Sequence, residues 1–394
     1  MKASIIGSYH SNFGKLKEKN IYDLIIEAGK GAIQDAGINI DKIGGIWVAN
    51  YASNKFNNQN HIAPIALEID DELRYTPAVH VENACASGSA AIREAKNAIL
   101  SGEIDYALVI GAEKMTSSNM QQTTKILSEA SHWIKEGSQG VTFPGLFAEY
   151  AKGYKKEYGF SSLKLEELLA RVSAKNHKNA LGNSLAQLPL DINYRDILNK
   201  SDNKNPVISS PLKLMDCSLV SDGSAAIILT SSKNASKLNK SFVQIESLVQ
   251  KTDFLSLDKR KKFKLEAGEK CIKEALNKAS CEIEDIDFAE VHDCFTIAEV
   301  LIYEAMGIAG PGEAFKLLES GYTDIDGELP VNASGGLKAK GHPVGATGVS
   351  MAVLAYRQLI NKSIGHQVNN AKIGLTFNIG GSASSNYAIV YKKS

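Results

Sequence analysis

The sequence predicts a layered α/β protein made of two related halves, and two observations carry that reading. Short apolar strand patterns alternate with longer helical ones along the chain, the order expected of an α/β layer architecture. In addition, residues 32–50 recur as residues 275–293 at a constant offset. Ala32, Ile33, Ala36, Ile40, Ile43 and Val48 face Ala275, Leu276, Ala279, Ile283, Ile286 and Val291, and a second match sets Ala86-Ser87-Gly88 against Ala346-Thr347-Gly348. The common order of the two matches indicates an internal duplication, one half ending near residue 240 and the other running to the C-terminus.

Taken in order, residues 3–7 read as a short strand. Ile21, Leu24, Ile25, Ala28, Ala32, Ile33 and Ala36 then recur at three- and four-residue steps, an amphipathic helix closed by Gly37. Residues 46–50 and 78–81 read as further strands, 87–100 as an alanine-rich helix and 106–112 as a buried strand. A long excursion follows before 216–229, with its own helical pattern at 163–175 and polar loops at 182–184 and 201–205. It reads as a cap inserted over the first half. The basic run 259–264 reads as a solvated helix face.

At about 150 residues per domain, 394 residues make roughly two to three compact units. Lys+Arg and Asp+Glu both count 44, so no basic excess exists to neutralise a nucleic-acid backbone. Apolar runs such as 106–112 fall far short of the ~20 residues of a membrane span. Residues 3–7 are too short for a secretory signal, so the mature chain is expected to start near Met1, in the cytoplasm. The five cysteines, Cys85, Cys217, Cys271, Cys281 and Cys294, are an odd number and are expected as free thiols in a reducing compartment. None has C-x-x-C spacing and no histidine pair has H-x-x-x-H spacing, so no metal is expected, and no glycine-rich phosphate cradle marks a nucleotide cofactor.

Four segments concentrate reactive side chains. In Val81-Glu82-Asn83-Ala84-Cys85-Ala86-Ser87-Gly88-Ser89 a cysteine precedes a helix, whose unsatisfied N–H groups and dipole favour the thiolate; a buried packing role is the alternative. In residues 332–348 many glycines surround Gly341-His342-Pro343, which makes sense where backbone passes close to a ligand. There His342 is a base or hydrogen-bond donor, or a histidine satisfied within its turn. Val291-His292-Asp293-Cys294-Phe295 puts titratable groups at a strand end, where α/β folds bind ligands. Leu375-Thr376-Phe377-Asn378-Ile379-Gly380-Gly381-Ser382 ends a strand in glycines whose bare N–H groups suit an oxyanion.

In this order and at these separations the four segments resemble the thiolase superfamily over almost the whole chain; the G-H-P segment and Asn83-Ala84-Cys85-Ala86-Ser87-Gly88-Ser89-Ala90 are its most specific parts. The resemblance implies a thiolase fold, two βαβαβαββ halves packed as five layers (αβαβα) with an inserted loop domain. The expected division is 1–115 with 206–240, the insertion 116–205, and 241–394. It makes Cys85 the acylated nucleophile and His342 its activator. Many thiolases carry Asn-Glu-Ala-Phe where this chain has His292-Asp293-Cys294-Phe295, and a C-terminal C-x-G where it has Asn378-Ile379-Gly380. That exchange resembles the sterol-carrier-protein type of thiolase and moves the acid/base role to Cys294.

The resemblance further implies cleavage of 3-ketoacyl-CoA to acetyl-CoA and a shortened acyl-CoA, or the reverse Claisen condensation, with coenzyme A as substrate and no cofactor. His292 is expected to hold a water, the oxyanion hole to comprise Cys85, Gly380 and His342, and Phe143, Pro144, Ser334 and Asn378 to meet substrate. Lys152, Arg171 and Lys175 are candidates for the CoA phosphates, with a solvated surface charge as the alternative reading of each. A homodimer or dimer of dimers is implied. Two alternatives stay open: an acyltransferase or aldolase working with a small acyl-CoA-binding partner protein, and a silent acyl-CoA-binding subunit.

Overall fold

The computed structural model describes residues 2–394; Met1, the expected first residue, lies outside the described residues. The first half contains β1 (Ala3–His10), α1 (Ile21–Ala36), β2 (Ile43–Ala49), α2 (Ser53–Asn57), β3 (Ala78–Val81), α3 (Ser87–Ser101) and β4 (Tyr106–Glu113). After β4 the chain forms α4 (Met120–Ser128), α5 (Phe143–Glu157), α6 (Ser162–Asn179) and α7 (Tyr194–Leu198), with the small ribbon β5 (Val207–Ser209) and β6 (Leu212–Lys213). It returns through β7 (Gly223–Ser231) and α8 (Ser232–Ala235). The second half contains β8 (Val243–Thr252), α9 (Glu266–Ala279), β9 (Phe288–Val291), α10 (Thr296–Met306), α11 (Ala314–Glu319), α12 (Thr347–Leu359), β10 (Ile373–Gly380) and β11 (Ser385–Lys393).

The strands run β3-β2-β4-β7-β1-β8-β11-β10-β9. Numbered within its own half, the first five-strand set reads third, second, fourth, fifth, first, and the second reads first, fifth, fourth, second. The halves therefore mirror each other across β1 and β8, which touch through only Ser4↔Gln244 and Ile5↔Val243. The third strand of the second half has shrunk to a single bridge, Ala289↔Val331. The sequence repeat is structural: α1 and α9 end in a left-handed residue, Gly37 or Ser280, then a 3₁₀ turn, Ile40–Lys42 or Ile283–Asp285, leads into β2 or β9.

Five layers result. Helix α1 covers the outer face of the first half, α9 and α10 that of the second, and α3 and α12 lie between. Ala91, Ile92 and Ala95 of α3 meet Val349, Ala352, Val353 and Tyr356 of α12 in a fully enclosed core. Burying Ile92 or Val353 stabilises the fold by roughly 1.5–3 kcal/mol each. The two helices approach closest at their N-termini: a Cβ on Gly348 would lie 2.3 Å from the Ser89 nitrogen, and one on Gly88 2.5 Å from that of Val349. That approach brings the loop before α3, with Cys85, against the loop before α12, with His342.

The basic run 259–264 is solvated but is not a helix. Its cations neutralise acids of neighbouring segments, Lys261 with Glu266, Lys262 with Glu149 and Lys264 with Glu269, while Arg260 donates to the Ser382 carbonyl. No helix among the described residues is long and apolar enough to cross a membrane.

Candidate active site

Residues from remote parts of the chain converge on one point. One donor atom each of Cys85, His292 and His342 lie within 4.8 Å of one another. The two imidazoles meet edge to face, 5.1 Å between centroids at 90°. Cys294 borders the same cavity as Cys85 and His342, close enough that either thiolate would penalise the other. The cavity holds about 460 Å³ and is mostly apolar, with Met115, Leu127, Phe143, Pro144, Ile208 and Val344 on its walls.

Cys85 sits at a sharp turn. The preceding Ala84 has φ 49°, a left-handed conformation that costs a non-glycine residue energy and recurs at functional turns. The Ser87 hydroxyl fixes this turn by donating to the Ala84 carbonyl at 2.7 Å and accepting from the Asn83 N–H at 2.8 Å. The surroundings oppose the thiolate that the helix end favours. Burial pushes the Cys85 thiol up to about 12, and the N–H groups of Gly381 and Cys85 itself oppose this only in part. The helix end is a local electrostatic gain, whereas desolvation depends on everything packed above the sulfur, and here desolvation wins. The Gly381 N–H, not that of Gly380, is the one directed at the sulfur. Gly380 is the last ladder residue of β10, paired with Ser385, and Gly381 lies in the turn beyond it at φ 61°.

His342 is held from three sides. Its N–H donates to Ser221 Oγ at 2.9 Å, its Nδ1 lies 2.7 Å from Thr347 Oγ1, and Gly345 in its loop donates to Glu113 at 2.8 Å. Burial and the neighbouring Lys340 ammonium lower its pKa to about 3, so the ring is neutral at neutral pH. His292 is fully buried and also neutral; its Nδ1 meets Asn378 Nδ2 at 2.9 Å and its Nε2 has no protein partner. Burial and the nearby Cys85 and Asp293 raise the Cys294 thiol well above its usual value.

Asp293 works from behind the site. Its carboxylate accepts from Leu337 N at 2.6 Å, Lys338 N at 3.1 Å and Asn176 Nδ2 at 2.7 Å, anchoring the π-helical turn Gly336–Lys340 that leads to His342. Gly336 must be glycine, since φ is 59° and a Cβ would fall 2.3 Å from Asp293 Oδ2. Burial and the adjacent Glu299 raise the Asp293 pKa. Glu113 does the matching work near Cys85, accepting from Asn50 Nδ2, Tyr51 N, Ala52 N and Gly345 N; burial raises its pKa to about 7.

Among the residues expected to meet substrate, Phe143 and Pro144 line the cavity, whereas Ser334 and Asn378 do not. Ser334 is spent on Glu290, which accepts from both its N–H and its hydroxyl. Asn378 lies behind the ring of reactive groups, tied to Cys85, Ser89 and His292. Lys175 is buried against Glu299, 2.7 Å away, and Arg171 pairs with Glu167 over the Tyr194 ring; neither reaches the cavity. Lys152 lines a second depression, which shares Thr142 with the main cavity and also carries Lys262. The sequence offered no sign of Glu113 or Ser221 and marked Cys217 only as a free thiol; Thr347 stood within the glycine-rich 332–348 segment and in the repeat, with no role of its own legible.

Two family models match the chain, the thiolase N-terminal domain over residues 3–233 and the thiolase C-terminal domain-like family over 250–393. An acetyl-CoA acetyltransferase of Methanothermobacter thermautotrophicus is 38% identical over 97% of each chain. Sterol carrier protein 2 of Bos taurus is 30% identical, covering 95% of this chain and 69% of that one. The solved structure of an Ltp2-ChsH2(DUF35) aldolase superposes with a TM-score of 0.81 at 22% identity, covering 99% of this chain and 97% of that one. With both halves matched in order, and the Cys85 loop facing the glycine-rich His342 loop, the chain belongs to the thiolase family.

Proposed function

We propose that this protein is a thiolase, an acetyl-CoA C-acyltransferase that cleaves 3-ketoacyl-CoA with coenzyme A or, in reverse, condenses two acetyl-CoA. The observation that carries the reading is the meeting of Cys85, His292 and His342 within 4.8 Å beside an apolar cavity that Cys85, His342 and Cys294 line and against which His292 is fully buried. The acetyltransferase relatives support it.

Cys85 attacks the 3-keto carbon as its proton passes to His342, because both groups rest in their neutral forms. The bond between carbons 2 and 3 breaks and leaves an acyl-thioester on Cys85 and the enolate of acetyl-CoA. His292 and the protonated His342 hold the enolate oxygen, and Cys294 gives its proton to carbon 2. The thiol of incoming CoA then loses its proton to Cys294 and attacks the acyl-Cys85. The N–H groups of Cys85 and of Gly381 or Gly380 hold that oxyanion, and collapse returns Cys85, which recovers its proton from His342. Phe143 and Pro144 border the acyl group, and Lys152 stays the candidate for the CoA phosphates provided that it leaves Glu149, with which it pairs at 2.9 Å.

Coenzyme A is a substrate, and the reaction needs no further cofactor. All five cysteines are free, which supports a reducing, cytoplasmic setting, checked by cell fractionation. Residues 116–205 act as the cap, between a first half of 1–115 with 206–240 and a second half of 241–394; limited proteolysis would locate those borders. Strand β3 is an edge strand with Val79 48% and Tyr75 84% exposed nearby, which supports a homodimer through that edge. Light scattering should give twice the mass of one chain or a multiple of it; a monomer at working concentration would refute the pairing.

The deciding experiment is incubation with acetoacetyl-CoA in the absence of CoA, digestion, and mass measurement of the peptide containing Cys85, with Cys85→Ser as control. Acetylation at Cys85 is expected. A folded protein that acquires no acyl group from acetoacetyl-CoA or from longer 3-ketoacyl-CoAs would sink the reading. A second reading, an acyltransferase or aldolase completed by a partner subunit, draws on the aldolase fold likeness and on Met120, Ile208 and Leu214, cavity residues 70%, 45% and 42% exposed. Release of acyl-CoA when free CoA is added to the acylated protein separates the two.

A further inference from the structure

The two histidines are wired to opposite protons. We infer that Asn378 holds His292 in the tautomer with hydrogen on Nε2, and that Thr347 holds His342 in the tautomer with hydrogen on Nδ1. In each case a backbone carbonyl, which can only accept, decides the direction of the chain of hydrogen bonds.

Asn378 has three partners. The Cys85 carbonyl lies 3.2 Å from one end of its amide, and since a carbonyl cannot donate, that end is Nδ2. The Oδ1 end then accepts from Ser89 Oγ at 2.8 Å. The same Nδ2 lies 2.9 Å from His292 Nδ1, which therefore accepts and carries no hydrogen. Neutral His292 must bear its one ring hydrogen on Nε2, the fully buried atom that has no partner in the protein. On the other side, Thr347 Oγ1 lies 2.9 Å from the Pro343 carbonyl, which also accepts from the Ala346 and Thr347 N–H groups at 3.1 Å, and we assign the hydroxyl's only hydrogen to that carbonyl. Only lone pairs remain to face His342 Nδ1 at 2.7 Å, so Nδ1 donates and His342 Nε2 is a bare lone pair.

The roles then separate before any substrate arrives. His342 Nε2 can take a proton from Cys85, and His292 Nε2–H can only give a hydrogen bond to an oxyanion. Asn378 and Thr347 are positioning residues, since each acts through its histidine; the sequence had placed Asn378 at the substrate. The inference rests on the thiolase reading for its consequence in rate, but the tautomers themselves can be observed without it.

The test is ¹⁵N NMR of the full-length protein with labelled histidines, which reads each ring nitrogen as protonated or bare, paired with thiolysis kinetics of Asn378→Asp. In the native protein one buried histidine should be bare at Nδ1 and another bare at Nε2, assigned by the loss of each signal in His292→Gln and His342→Gln. A carboxylate at 378 can only accept, so His292 should turn its hydrogen to Nδ1. The kcat should then drop about 10²–10³-fold, the loss of one oxyanion donor, with KM little changed. His292 and His342 in the same tautomer in the native protein would overturn the inference, even if the variant fails to fold; His10 and His177, also buried, are told apart because their signals survive in both His292→Gln and His342→Gln. So would a variant that has lost the Nε2 hydrogen and keeps its kcat. A native protein with the expected tautomers and no acylation would instead remove the thiolase reading.

Discussion

The two halves run through the same helix, 3₁₀ turn and strand and then spend the next residue differently. In the first half the repeat ends on Asn50, whose amide donates to the Ala112 carbonyl and to Glu113. In the second it ends on Asp293, flanked by His292 and Cys294. Likewise Ser87 and Thr347 stand at matched helix starts, and both hydroxyls donate to a carbonyl of the preceding loop. In one half that loop presents Cys85; in the other it presents His342. Duplication supplied two equivalent loop and helix-end frames around a shared seam, and the chemistry arose because the two frames were filled with complementary groups. Cys85 and His342 thus come from opposite halves and meet beside the close approach of α3 and α12 at Gly88 and Gly348.

The largest test of that division is Cys294→Ala. If the second half supplies the proton for carbon 2, thiolysis should fall by about two to four decades, the usual worth of a placed acid/base. Acylation of Cys85 by an acyl-CoA donor should persist, because attack needs only Cys85 and His342. Full turnover in this variant, followed by a coupled CoA-release assay, would mean that the first half contains its own acid and that the comparison is drawn wrongly.

Much of the fold was legible because it rests on local pattern. The helix from Ile21, with its apolar spacing and Gly37 stop, and the repeat at 275–293 need only neighbours in sequence. Cys85, His342 and Cys294 could be singled out for the same reason. What stayed hidden depends on contacts between distant residues. Asn378 meets Ser89 across 289 positions and Gly345 meets Glu113 across 232, so no spacing could show that the first sets a tautomer or that the second anchors a loop. The opposing pull of desolvation on Cys85 was not legible, because the helix end is visible in the sequence and the desolvating cover is not. The expectation of no metal rested on local spacing as well, and that rule could not see three donor-bearing residues gathered from positions 85, 292 and 342.

The finest test uses the matched hydroxyls. Ser87→Ala and Thr347→Val each remove one hydroxyl at the start of a central helix, so a purely structural view expects similar outcomes. The division of roles expects different ones. Without Ser87 Oγ the Asn83 N–H loses its acceptor, which should cost about 1–3 kcal/mol of stability in denaturant unfolding and change the rate little beyond that. Without Thr347 Oγ1 the His342 ring loses the acceptor that aims it. Because a misplacement of about 1 Å can cost roughly 10²-fold, kcat should fall by about that factor with a smaller loss of stability. The discriminating quantity is the ratio of the two effects within each variant. Equal ratios would reduce both hydroxyls to loop anchors, and the asymmetry between the halves would then lie in the reactive side chains alone.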